Sequence, residues 1–181
     1  MIPELPRDAR RLWSKKTHDL TPYIPGEQPR DRQFIKLNTN ENPYPPAPGV
    51  VEALHAYPID RLKLYPDPTG LKLRTTIADY TGLPLDQVFV GNGSDEVLAM
   101  AFQAFFNHHR EPEAAGPTDQ IVFPDITYSF YPVYARLYDI PFRRVALTDD
   151  FTIPVTELAQ PSAGIVLANP NAPTGIALTL D

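Results

Sequence analysis

The chain has 181 residues, enough to bury a core, and its 43% hydrophobic and 21% charged residues are typical of a soluble globular protein. A formal net charge of -6 argues against general nucleic-acid binding, and no apolar run approaches the roughly 20 residues that span a bilayer. The absence of cysteine and of a visible secretory signal excludes disulfides and indicates the cytoplasm.

The N-terminal part of the chain is predicted to be an extended arm. A short helix is expected over residues 5–13 and a short strand over 34–37. The 22 prolines of the chain concentrate in blocks, among them 22–29 and 43–48, which indicates rigid connections rather than disorder. Asn40, Glu41 and Asn42 come just before the second block, either as a turn or as the lining of a polar ligand site. We expect a boundary near residue 50, with a larger domain over 51–181.

A strand, a turn and a helix follow in the middle of the chain. Helices are predicted over residues 50–56 and 71–80, the second ending at Gly82. A short strand over 88–90 then leads to Gly93, Ser94 and Asp95, with Ser94 as the predicted N-cap of an amphipathic helix. Backbone N–H groups at such a helix start bind phosphate well. The plain alternative is a capped helix that binds nothing.

Three more segments, over residues 120–124, 142–147 and 164–168, are predicted strands, with a helix over 128–138 between the first two. Short unalternating strands separated by helices indicate an α/β fold with a parallel sheet covered on both faces. Ligands of such sheets bind beyond the carboxyl ends of the strands.

Tyr128 follows the first of these segments, and the loop 169–175, which contains Asn171, follows the last. Each has a plain alternative, a core aromatic residue and a rigid turn. A phosphate cradle, a stacking ring and a polar loop together favour a flat, phosphorylated aromatic cofactor over a nucleotide. The four histidines show no metal-binding spacing.

Five motifs occur together in an order that resembles the histidinol-phosphate aminotransferases, of the aspartate aminotransferase superfamily. They are Leu37-Asn38-Thr39-Asn40-Glu41-Asn42-Pro43, Tyr65-Pro66-Asp67, Gly91-Asn92-Gly93-Ser94-Asp95-Glu96, Thr127-Tyr128-Ser129-Phe130-Tyr131 and the loop 169–175. The resemblance implies the N-terminal portion of the fold-type I architecture, with pyridoxal 5'-phosphate as cofactor. Residues 1–50 would be the arm and the start of the small domain, and 51–181 the first part of the large cofactor-binding domain.

The resemblance also implies roles for individual residues. Gly93, Ser94 and Asp95 match the residues whose backbone binds the cofactor phosphate, and Tyr128 matches the ring that stacks on the pyridine. Tyr65 matches a tyrosine that reaches the partner's cofactor across a homodimer. The loop 169–175 has Ala172 where the family carries an asparagine for the cofactor's 3′ oxygen, so neighbouring Asn171 is expected to make that contact. Residues matching the segment that closes over the substrate are Tyr23, Asn40, Glu41 and Asn42.

No catalytic residue is expected within the chain. In the family, the Schiff-base lysine follows the loop that matches 169–175, so it is expected beyond Asp181, and the chain is expected to be an N-terminal fragment, inactive alone. The implied reaction is amino transfer between histidinol phosphate and 2-oxoglutarate, which gives imidazole-acetol phosphate and glutamate in histidine biosynthesis. The alternatives are a threonine-phosphate decarboxylase, an aromatic aminotransferase, and a catalytically silent half-domain.

Overall fold

The computed structural model describes residues 9–20, 35, 37, 41–108 and 114–179. Contacts divide the chain into two compact units, one of Met1–Leu20 with Gly91–Asp181 and the other of Thr21–Val90. The sequence predicts a boundary near residue 50 instead, and that boundary stays a prediction. Among the helices of the described ranges, none has both the length and the apolar character that crossing a membrane requires.

The described residues form six α-helices and three β-strands. They are α1 (Lys15–Asp19), α2 (Pro48–Ala56), α3 (Leu71–Thr81), α4 (Gly93–Phe105), β1 (Ile121–Pro124), α5 (Tyr131–Leu137), β2 (Phe142–Val145), α6 (Val155–Leu158) and β3 (Gly164–Ile165). The helix predicted over 5–13 is a short 3-10 helix at Ala9–Leu12, and residues 5–8 lie outside the described part. The strand predicted over 34–37 also lies largely outside it.

The three strands form one parallel sheet in the order β2-β1-β3. Ile121 of β1 pairs with Phe142 on one side and with Gly164 on the other. The predicted parallel α/β sheet is therefore confirmed. The third strand is shorter than predicted, although the N–H of Val166 still donates to the carbonyl of Val122 at 2.9 Å.

Strand β1 is buried on both faces, which explains why its sequence is apolar without alternation. On one face lies a largely aromatic cluster of Phe102, Ile121, Phe123, Tyr131, Tyr134, Ala135 and Ile140, from α4, β1 and the α5 region. On the other face lies an aliphatic cluster of Val122, Val145, Ile153 and Leu158. The aromatic cluster fixes α4 and α5 to the same face of the sheet.

Helix α4 begins at Gly93, and its N-cap is Asn92. The prediction of Ser94 as the N-cap is wrong, because Gly93 has a φ of 80° and turns the chain into the helix one residue earlier. The predicted apolar stripe is only partly buried. Phe102 is 1% exposed and Phe105 is 80% exposed.

Residues 88–90 precede this helix and are extended at Val88, but no strand among the described residues pairs with them. The strand predicted there is therefore not found. An extended segment becomes a strand only when a neighbour completes its backbone hydrogen bonds.

In the other unit, Asp67 holds the turn that leads into helix α3. Its carboxylate accepts hydrogen bonds from the backbone N–H of Thr69 at 2.9 Å, from the Thr69 hydroxyl at 2.8 Å and from the N–H of Leu71 at 2.8 Å. These bonds, the Thr69 backbone donor first, hold the pKa of Asp67 below its usual range. The helix ends at Gly82, which has a φ of 70°, as predicted.

Candidate functional site

The first turn of α4 is exposed, and the N–H of its first residue, Gly93, donates to the carbonyl of Gly91 at 3.0 Å. Gly93, Ser94 and Asp95 are all exposed, and the side chain of the N-cap residue Asn92 makes no capping hydrogen bond. The first N–H groups of a helix lack an acceptor within the helix and lie at the positive end of its dipole. This turn can therefore bind an anion through its backbone.

The side chain of Glu96 is held on the turn that precedes the helix. Its carboxylate accepts from the N–H of Asn92 at 2.6 Å and from the Asn92 amide nitrogen at 3.4 Å. A Cβ on Gly91 would lie 3.0 Å from both Glu96 Oε2 and Val97 Cγ2. Glycine at 91 therefore leaves room for the Glu96 contact.

Two tyrosines contact Asp95 in the same turn. The Tyr128 hydroxyl donates to the Asp95 carboxylate at 2.5 Å, and the Tyr134 hydroxyl donates to the Asp95 carbonyl at 2.9 Å. Burial first, and then the negative charge of Asp95, raise the pKa of Tyr134. The start of α4 is thus joined to the segment that leads into α5.

The ring of Tyr128 is half-buried and held by aromatic neighbours. Phe130 stacks on it with ring centroids 5.7 Å apart and planes inclined by 22°, and Tyr131 meets it edge-on at 5.7 Å. These contacts and the bond to Asp95 leave the ring little freedom to rotate.

Asn171 joins the loop after β3 to the loop after β1. Its side chain is 1% exposed; the Thr127 hydroxyl donates to its oxygen at 2.8 Å, and its nitrogen donates to the Ile126 carbonyl at 2.9 Å and to the Thr174 hydroxyl at 3.3 Å. Both amide hydrogens are therefore bonded within the protein. The expected contact of Asn171 with a cofactor stays a prediction, while the geometry supports a role in holding the two loops together.

Asp125, directly after β1, joins this loop to the one that follows β2. Its carboxylate accepts from the N–H of Leu147 at 3.0 Å and its own N–H donates to the Val145 carbonyl at 2.8 Å. Asp125 and Tyr134 lie outside the sequence motifs, and the motif that contains Thr127 gives that residue no role. An acidic residue at the end of a buried strand is a signal that could have identified Asp125.

Two clefts lie at opposite ends of the sheet. One of about 380 Å³, at the carboxyl ends of the strands, is lined by Thr127, Tyr128, Arg144 and Pro173 among others. The other, of about 510 Å³, lies beside Gln120 and Pro141 at the amino ends. The cleft at the carboxyl ends is the better candidate for a ligand site although it is the smaller of the two, because ligands of parallel α/β sheets bind at the carboxyl ends.

The structure thus brings three of the predicted motifs together: the start of α4, Tyr128 and the loop with Asn171. Tyr65 lies in the other unit and its side chain is fully exposed, and Glu41 and Asn42 of that unit are exposed as well. The Asn42 side chain accepts from the N–H of Tyr44 at 3.0 Å, as in a turn. Tyr23 and Asn40 lie outside the described residues.

Comparison with known proteins supports the family indicated by the motifs. The sequence pattern of the family described as aminotransferase class I and II matches residues 32–181. The histidinol-phosphate aminotransferase of Chromohalobacter salexigens is 55% identical over 91% of this chain and 44% of its own length. The enzyme of that name from Acetobacter pasteurianus is 57% identical over 94% of this chain and 45% of its own length. The chain therefore spans less than half the length of these curated relatives.

Solved structures support the fold. A Burkholderia pseudomallei protein assigned as an aminotransferase superposes with a TM-score of 0.60 and 26% identity, over 78% of this chain and 41% of that one. An Erwinia carotovora protein assigned as a histidinol-phosphate aminotransferase gives a TM-score of 0.63 at 24% identity, over 80% of this chain and 40% of that one. The expected fold class, the N-terminal part of the fold-type I transferase fold, is confirmed.

Proposed function

The chain belongs to the aminotransferase class I and II family, and on that premise we propose that the complete protein is a pyridoxal-phosphate-dependent aminotransferase. By the complete protein we mean this chain with any residues that its gene adds. The proposed reaction is amino transfer between histidinol phosphate and 2-oxoglutarate in histidine biosynthesis, in the cytoplasm. The names of relatives about 50% identical over most of this chain support this choice of substrate.

The residues at the carboxyl end of the sheet fit this cofactor. The observation that carries the proposal is the hydrogen bond between Tyr128 and Asp95, which holds an aromatic ring beside the exposed first turn of α4. A phosphate group suits the donors and a pyridine ring suits the aromatic side chain. The acidic side chains of this turn are each engaged by a hydrogen-bond donor of the protein, Asp95 by Tyr128 and Glu96 by Asn92.

Each residue then has a simple task. Gly93, Ser94 and Asp95 bind the cofactor phosphate through their backbone, and the Tyr128 ring packs on the pyridine. Asn171 holds the two loops that border the site. When bound, pyridoxal phosphate serves as an electron sink for the substrate carbon that bears the amino group. The lysine that binds the cofactor covalently in this family stays a prediction for the complete protein.

We propose that Tyr23, Asn40, Glu41 and Asn42 contact the substrate, and that Tyr65 contributes to the partner's site in a homodimer. The full exposure of Tyr65 within its own chain is compatible with such a contribution. Sedimentation of the complete, active protein as a monomer would contradict this part of the proposal.

Three alternatives differ in observable ways. A threonine-phosphate decarboxylase or an aromatic aminotransferase would use the same cofactor site with a different substrate. A catalytically silent half-domain would give no turnover with any of these substrates. The names of the relatives support a transaminase rather than the decarboxylase.

The test is a substrate panel on the complete protein supplied with pyridoxal phosphate. We expect glutamate to form from 2-oxoglutarate with histidinol phosphate as donor, at a kcat/KM at least tenfold above that with phenylalanine. Release of carbon dioxide from threonine phosphate would favour the decarboxylase instead. An absence of turnover with every substrate, in a folded protein with bound cofactor, would contradict the proposed activity.

A further inference from the structure

Tyr134 is a buried tyrosine of α5 whose hydroxyl reaches the candidate site. Its ring belongs to the aromatic cluster and lies 5.6 Å from those of Phe102 and Phe130. Its hydroxyl donates to the Asp95 carbonyl at 2.9 Å. A residue 6% exposed in the core thus holds the backbone of the exposed turn that starts α4.

The hydrogen bond from the Tyr134 hydroxyl to the Asp95 carbonyl, the tether, constrains the first turn of α4. Tyr128 donates to the carboxylate of Asp95 and Tyr134 donates to its carbonyl, so the segment 128–134 makes two hydrogen bonds to the same residue. The carbonyl bond acts on the backbone itself. A shift of the Asp95 peptide would move the neighbouring N–H groups of the turn, which are the donors available to an anion.

We propose that Tyr134 is a positioning residue for phosphate binding: its hydroxyl fixes the first turn of α4 so that the backbone donors converge on the cofactor phosphate. The inference rests on the proposed function, since it concerns the phosphate of the same cofactor. It goes beyond the motifs, because Tyr134 belongs to none of them and touches the site only through Asp95.

The chain supplies a matched control in Tyr131. Both tyrosines lie in α5, both contact Phe102 and both are about 95% buried, with exposures of 5% and 6%. Among the described residues, the Tyr131 hydroxyl donates no hydrogen bond to α4. Tyr131→Phe and Tyr134→Phe therefore remove the same atom from the same core, and only the second removes the tether.

The experiment compares pyridoxal phosphate with pyridoxal, which lacks the phosphate. Dissociation constants of both compounds are measured by absorbance titration of the complete protein and of the two variants. For Tyr134→Phe we expect the affinity for pyridoxal phosphate to fall about three- to tenfold, the usual effect of one lost hydrogen bond, with pyridoxal binding unchanged. Tyr131→Phe should change neither affinity.

A rescue variant keeps the test valid if Tyr134→Phe folds poorly. Replacing Tyr134 by 4-aminophenylalanine preserves the ring and restores an N–H donor, so it should recover the preference for the phosphorylated compound. Equal losses for both compounds would show a merely structural role and overturn the inference, as would an unchanged preference in Tyr134→Phe. Failure of the unmodified protein to bind pyridoxal phosphate would instead contradict the proposed function, and the inference with it.

Discussion

The hydroxyl of Tyr128 donates a hydrogen bond to the carboxylate of Asp95 at 2.5 Å. The two residues are 33 positions apart, one in the loop after β1 and the other in the first turn of α4. The contact sets an aromatic ring next to a group of backbone donors. It also holds the Asp95 carboxylate in one orientation on the turn.

The first prediction concerns Tyr128. Tyr128→Ala should weaken retention of pyridoxal phosphate by the complete protein at least tenfold, because the stacking ring is lost. Tyr128→Phe keeps the ring but loses the bond to Asp95, so its loss should be smaller, about three- to fivefold. Equilibrium dialysis measures both.

Asp95→Asn is the comparison, because it keeps the backbone donor and an acceptor for the Tyr128 hydroxyl but removes the negative charge beside the phosphate. Its loss should therefore be smaller than that of Tyr128→Phe. Equal losses in Tyr128→Ala and Tyr128→Phe would show that the hydroxyl matters and the ring does not.

A second prediction concerns the buried amide of Asn171. Asn171→Ala leaves the Ile126 carbonyl and the Thr127 hydroxyl without their partner, so the free energy of unfolding of the complete protein should fall by about 3 kcal/mol. Asn169→Ala is the control. Asn169 also bonds through its side chain, to the backbone of Leu178, but it is exposed.

Because water can replace those bonds, Asn169→Ala should cost about 1 kcal/mol or less. Urea unfolding gives both values. Similar losses for the two variants would contradict a special role of Asn171 in holding the loops.

A third prediction separates two glycines of one turn. Gly91→Ala should destabilise the protein because its Cβ meets Glu96 and Val97 at 3.0 Å. Gly93→Ala has open space for a Cβ, but its φ of 80° costs an alanine about 1 kcal/mol. In a Glu96→Ala background, the cost of Gly91→Ala should shrink while that of Gly93→Ala stays the same. A double-mutant cycle by urea unfolding tests this, and unchanged costs at both positions would refute the contact at Gly91.

A fourth prediction follows from the lowered pKa of Asp67. A carboxyl whose pKa is lower in the folded state stabilises the protein above its unfolded pKa of about 3.9, and this contribution is lost as pH falls through the folded pKa. In Asp67→Asn, the free energy of unfolding should therefore fall less between about pH 5 and pH 2 than it does in the unmodified protein. Asp79→Asn, an exposed change in helix α3, is the comparison. Urea unfolding at each pH measures both variants, and an equally reduced pH dependence in Asp79→Asn would contradict the role given to Asp67.

The sequence was sufficient for the parts of the fold that depend on local patterns. Strand β1 is apolar without alternation because both of its faces are buried, and Gly82 ends α3 through its left-handed conformation. Residues 88–90 have the same apolar pattern, yet no described strand pairs with them. The apolar pattern indicates that a segment can form a strand, but it does not indicate whether a neighbouring strand is present to pair with it.

The site was predictable in its motifs but not in its internal contacts. The positions of Asp95 and Tyr128 follow from a helix start and a strand end. The bond from Tyr134 to the Asp95 carbonyl joins residues 39 positions apart and depends on how α5 is rotated against α4. No periodicity in one sequence determines that rotation. The same holds for Asn171, whose partners lie 44 and 45 residues away.

The most direct test of the account is a crystal structure of the complete protein with pyridoxal phosphate. We predict that the phosphate oxygens lie about 2.7–3.2 Å from the backbone nitrogens of Gly93, Ser94 and Asp95, with the pyridine ring packed on Tyr128. A cofactor phosphate bound elsewhere, with the first turn of α4 empty, would contradict the account.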